Sequence, residues 1–86
     1  MSTPAPGSAL TGSSATFTWS KGSGVSEYWL YVGTKGPGST NVYNASAFTA
    51  SANVTKLPVN GATVYVRLLS KINGAWQYND YTYTAQ

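Results

Sequence analysis

Residues 62–84 read ATVYVRLLSKINGAWQYNDYTYT, two strand-like runs on either side of Asn73-Gly74. Asn-Gly between such runs is the strongest short hairpin signal, because both residues tolerate the positive φ that a type I′ turn requires. The turn fixes a register. With Ile72 opposite Ala75, one side pairs Ser70 with Gln77, Leu68 with Asn79, Val66 with Tyr81 and Val64 with Tyr83. The other side pairs Lys71 with Trp76, Leu69 with Tyr78, Arg67 with Asp80 and Tyr65 with Thr82. Arg67 and Asp80 must face water, since unpaired charges enter a small core only at large cost. Trp76 and Tyr78 therefore come out with them, and Tyr81 and Tyr83 go in. The inward Asn79 marks where a β-bulge would reverse the last residues.

The run EYWLYVG, 27–33, is apolar on both sides, and Glu27 assigns its own side to solvent. Trp29 and Tyr31 join it outside, leaving Tyr28, Leu30 and Val32 for the core. In ATFTWS, 15–20, the apolar Ala15, Phe17 and Trp19 alternate with hydroxyl residues, which makes Trp19 a core residue on a half-buried strand. No window has helical spacing. Strands are expected at Ser8–Leu10, Ala15–Ser20, Glu27–Gly33, Asn41–Asn44, Ser51–Thr55, Ala62–Lys71 and Ala75–Thr84. About seven short runs set apart by Gly, Asn, Ser and Pro predict an all-β fold, an antiparallel two-sheet β-sandwich.

With 86 residues the chain suits one domain, too small for a core plus a deep catalytic cavity. It has no cysteine, so packing alone must hold it. Five basic and two acidic residues leave a net charge of +3 and a surface of Ser, Thr, Asn and Gly, a composition more usual in secreted modules. No run reaches the length of a membrane-spanning helix, and the opening MSTPAPGSALTGSS lacks a signal peptide's apolar stretch. Residues 1–7, with Pro4, Pro6 and Gly7, read as the end of a linker from an upstream domain, and 8–86 as the module.

Trp19 in the second run, Tyr28 in the third and LPVNGATVYVRLLS, 57–70, resemble the fibronectin type III family of immunoglobulin-like sandwiches. Leu57, Pro58, Gly61, Val66, Arg67 and Leu68 match that family's Leu-Pro-x-x-Gly corner and the strand after it. The resemblance implies a fold rather than an activity. It also implies that the Trp29 strand neighbours the Arg67 strand, which neighbours the Asp80 strand. One departure is Val64 where the family usually has its corner Tyr, with Tyr65 one place later on the opposite side.

One open face would then carry Trp29, Tyr31, Tyr65, Arg67, Leu69, Trp76, Tyr78 and Asp80, more contiguous aromatic surface than a monomer usually exposes. Strands about 4.8 Å apart and same-face residues about 7 Å apart would spread the rings as a flat, shallow platform. Flat rings suit the C–H faces of β-linked pyranoses, and Arg67 with Asp80 would offer hydrogen bonds without net charge. In its aromatic face, size and linker-like start the chain is similar to the small carbohydrate-binding modules joined to bacterial endoglucanases. The expected function is non-catalytic binding of β-glucan chains (cellulose-type, xyloglucan or mixed-linkage) through Trp29, Tyr31, Tyr65, Arg67, Trp76, Tyr78 and Asp80. Individual chains are preferred over crystal faces. The expected setting is a secreted monomer with a glycoside hydrolase in cis. The alternatives are a dimer contact, a face covered by a neighbouring domain, cross-strand packing alone, or an adhesin module that docks on protein.

Other chemistries have little to stand on. Without His or Cys no Ser-His or Cys-His arrangement is possible, and an open platform would not hold either Glu27 or Asp80 protonated for glycoside hydrolysis. No cofactor is expected, and two carboxylates make at best a weak calcium site. The basic residues are scattered, against a nucleic-acid partner, and nothing points to a membrane. Gly33-Thr34-Lys35-Gly36-Pro37-Gly38 lacks phosphate-loop spacing and reads as a turn beside the platform. The sequons at Asn44 and Asn53 matter only in a glycosylating host.

Overall fold

The computed structural model describes residues 3, 5, 7–10, 12–20 and 24–86. Met1, Ser2, Pro4 and Pro6 of the segment read as a linker, and the basic Lys21, lie outside the described residues. Six strands follow in order: β1 (Ala15–Thr18), β2 (Val25–Gly33), β3 (Tyr43–Ala47), β4 (Ser51–Val54), β5 (Thr63–Ile72) and β6 (Ala75–Thr84). They form two antiparallel sheets, β1-β4 and β3-β2-β5-β6, with no helix among the described residues. This is an all-β, two-sheet sandwich, and β2, β5 and β6 are neighbours in the expected order.

Alternation fills the space between the sheets. Phe17, Tyr28, Leu30, Val32, Val54, Val64, Val66, Leu68 and Tyr83 point inward from their strands, joined by Trp19 just after β1 and by Leu57. Phe17 meets Tyr83 edge-on at 5.5 Å, and Trp19 meets Tyr28 edge-on at 5.4 Å. Each pair takes one ring from each side of the sandwich. Such contacts contribute about 0.5–1.5 kcal/mol beyond the area they bury. Lys56, at φ +60°, turns the chain so that Leu57 enters the core.

The β5–β6 hairpin has the expected register throughout, from Ile72 opposite Ala75 to Thr63 opposite Thr84. Asn73 at φ +52° and Gly74 at φ +78° occupy the left-handed region that a type I′ turn demands. The ladder runs unbroken past Asn79-Asp80. Asn79 tolerates its inward side because residues 75–80 are exposed on both sides.

Two expectations need correction. Ser8–Leu10 is not a strand; Ala9 makes a single parallel bridge to Thr84, and the described residues hold six strands. The third edge strand is Tyr43–Ala47 rather than Asn41–Asn44. The side chain of Asn41 instead closes the preceding loop, accepting from Thr34 N at 2.9 Å and donating to Thr34 Oγ1. Ala45, Ser46 and Ala47 carry no β-branched or aromatic signal, and it is pairing with Leu30, Trp29 and Tyr28 that makes them a strand. The segment read as a linker is tied to both sheets where it is described: Thr3 bridges Thr18, and Gly7 N donates to Thr82 O at 2.8 Å.

Candidate functional site

The registers of β3, β2, β5 and β6 set the outer side of the large sheet in rows across the strands. The first row is Glu27, Lys71, Trp76, and the second is Ser46, Trp29, Leu69, Tyr78. The third is Asn44, Tyr31, Arg67, Asp80, and the fourth is Gly33, Tyr65, Thr82. All seven expected site residues thus share one face. Trp76 and Tyr78 are 42% and 56% exposed, while Trp29, Tyr31, Tyr65 and Arg67 are half-buried.

The face is not the flat platform that strand spacing alone predicts. Trp29 and Trp76 reach toward each other over β5 and meet with centroids 6.3 Å apart and planes at 83°. Two perpendicular indoles cannot both lie flat under one planar ligand. They border instead a cleft of about 300 Å³ lined by Trp29, Tyr31, Leu69 and Trp76, at the small end of the roughly 300–1,000 Å³ typical of ligand sites. Tyr65, a row beyond Arg67, is not among its walls.

Hydrogen bonds decide which of these groups are fixed. Trp29 Nε1 donates to Asn44 Oδ1 at 2.5 Å, which holds the indole from the neighbouring edge strand. Trp76 makes an edge contact with Trp29 and has the Lys71 ammonium 5.8 Å from its ring. Arg67 donates from Nε and Nη2 to both carboxylate oxygens of Asp80, at 2.7 and 3.1 Å. Its guanidinium also lies over the Tyr78 ring, 4.0 Å from the centroid. The hydrogen bond to Asp80, opposed by partial desolvation, raises the Arg67 pKa above its ordinary value. Arg67 therefore acts as a bracket that orders Tyr78 and Asp80, with its charge already compensated.

The loop from Thr34 to Asn41 brings Gly38 against that bracket. Ser39 Oγ donates to Gly36 O at 2.7 Å and accepts from Lys35 N, so the loop is held by its own side chains. Gly38, at φ +83°, stands so close that a Cβ there would lie 2.9 Å from Arg67 Nη1. Sequence reasoning placed this loop beside the face but missed Gly38 and Asn44 as supports of it. The one available signal was the place of Asn44 at the edge, and that was obscured by the misplaced third strand. Among the described residues no group of three or more His, Cys, Asp or Glu comes together to hold a metal ion. Compared with protein-family models, with curated proteins and with solved structures, the chain finds no match.

Proposed function

We propose that the outer face of the large sheet is a carbohydrate-binding site, and that the protein is a non-catalytic module for single β-glucan chains. The observation that carries this reading is the cleft between Trp29 and Trp76, floored by Leu69 and flanked by Tyr31. A pyranose needs an apolar plane for its C–H face and hydrogen-bonding groups at its rim, and here indoles stand beside Tyr31, Asn44 and Ser46. Charge supports a neutral ligand: Asp80 compensates Arg67, and Glu27 lies opposite Lys71. The angle of 83° between the indoles favours a single chain that enters the cleft over the planar face of a crystal. In this reading the likeness to fibronectin type III sandwiches reflects the scaffold, and the module serves a secreted glycoside hydrolase in cis.

Affinity electrophoresis through hydroxyethylcellulose, xyloglucan, mixed-linkage β-glucan, xylan and mannan tests the proposal. Retardation by the glucans, lost in Trp29→Ala and Trp76→Ala, is the expected result. Unretarded migration in every gel overturns it, and self-association through the same face would favour a protein-docking module.

A further inference from the structure

We infer that the glucan chain lies across β5 and β6 of the large sheet, with its end between the Trp29–Trp76 pair and the Tyr31–Arg67 row, and leaves over Tyr78. The inference rests on the reading of this face as a glycan site and adds the path and polarity of its contacts.

The wall on one side is continuous across the strands. Trp29 stands in the second row on β2 and Trp76 in the first row on β6, yet their rings meet above β5, so together they form an oblique wall from β2 to β6. The opposite wall is the third row. There Tyr31 lies beside Arg67, which is clamped to Asp80 by two hydrogen bonds and backed by Gly38. Trp29 stands one row from Tyr31, about 7 Å along β2, while Trp76 stands two rows, about 14 Å, from Asp80, so the space above Leu69 widens toward β6. A path along the strands would have to pass over Arg67, where the bracket and the Gly38 loop stand in the way.

At the β6 end the channel meets Tyr78, which has the Arg67 guanidinium 4.0 Å from its ring centroid and is more than half exposed. A ring backed in this way offers a second stacking surface next to the cleft. At the β3 end Ser46 and Asn44 supply polar groups. The Trp29 Nε1–Asn44 Oδ1 bond joins the two walls at that end, so the channel opens over Tyr78 and suits a chain that ends in the cleft. Tyr65 lies behind the Arg67 wall and takes no part.

The test is amide chemical-shift mapping of the ¹⁵N-labelled protein titrated with a β-1,4-linked glucohexaose, with Tyr78→Ala and Tyr65→Ala measured alongside. Shifts should cluster at Trp29, Leu69, Trp76 and Tyr78 and spare Gly33, Tyr65 and Thr82. Tyr78→Ala should weaken binding on the order of tenfold, with Tyr65→Ala unchanged. Shifts that run down β5 through Arg67 to Tyr65, or equal losses in the two variants, overturn the crosswise path while leaving the glycan reading intact. No shift with the oligosaccharide, together with no retardation in any glucan gel, overturns both.

Discussion

Gly38 is pressed against Arg67 so closely that a methyl group at its Cα would stand 2.9 Å from Nη1 and 3.2 Å from Cζ. The contact couples a loop without regular structure to the bracket that orders Tyr78 and Asp80. Gly38→Ala must both occupy φ +83° and displace the guanidinium. The expected cost exceeds about 1 kcal/mol, the upper range for compatible Gly-to-Ala changes with the sign reversed. Adding Arg67→Ala should recover the steric share and leave the backbone share. A double-mutant cycle of urea midpoints measures the difference, and strict additivity would show that the two residues do not interact.

Asn44 holds Trp29 from the edge strand through a single hydrogen bond. Asn44→Ala should cost about 0.5–1.5 kcal/mol of stability, the usual net value of one such bond. Its larger effect should fall on glucan retention, because the indole loses its fixed orientation. Gel retardation of Asn44→Ala beside Trp29→Ala checks this, and wild-type retention would mean that Trp29 is positioned by packing alone.

Trp19 and Trp76 separate core from surface. Trp19 is 4% exposed and packs on Tyr28, so Trp19→Ala should cost about 3–5 kcal/mol. That is a large share of the roughly 5–15 kcal/mol of a typical domain. Trp76→Ala loses an edge contact on an exposed arm and should cost about 0.5–1 kcal/mol. Trp19→Phe should cost less than half as much as Trp19→Ala, because it keeps most of the buried ring. A Trp76→Ala midpoint as low as that of Trp19→Ala would contradict the exposure of the hairpin arm.

Much of this arrangement was legible in the sequence because two strong local signals agreed. Asn73-Gly74 set the register, and the Arg67 and Asp80 pair set its sides, so every cross-strand pair of β5 and β6 followed. The same period-two logic with Glu27 placed Trp29 and Tyr31 on that face. What was not legible depends on tertiary geometry. Backbone spacing cannot say how far a long side chain leans, so the perpendicular meeting of Trp29 and Trp76 over β5 turned an expected platform into a cleft. The third strand was displaced because Tyr43–Ala47 has little propensity of its own and is made by its partner. Gly38 could be read as a turn residue, but nothing in GTKGPGSTN announces that the turn folds back onto Arg67.

Tyr83 gives the fold a dependence on alkaline pH. Burial, with a smaller contribution from Tyr81, pushes its phenol up to about 12 from the ordinary 10.0. The neutral phenol is the folded form. Below pH 10 the stabilisation is fully present, since Tyr83 is protonated in both states. Between about 10 and 12 the unfolded chain sheds the proton first, so stability falls as pH rises. Urea midpoints at pH 8, 10 and 11.5 should decline more steeply for the wild type than for Tyr83→Phe. Parallel slopes would place the titration elsewhere.

The N-terminal segment and β6 have a mechanical consequence. Ala9 lies parallel to Thr84, and the bonds Gly7 N to Thr82 O, Thr84 N to Ser8 O and Leu10 N to Thr84 O join the two segments along their length. Tension that draws the N-terminal segment backward and the C-terminal end forward would load these bonds together in shear rather than open them one at a time. A module held this way transmits load without first peeling apart. Single-molecule extension of a tandem array should show one abrupt rupture per module. Replacing Leu10 with Pro, which deletes one donor of the seam, should lower the rupture force.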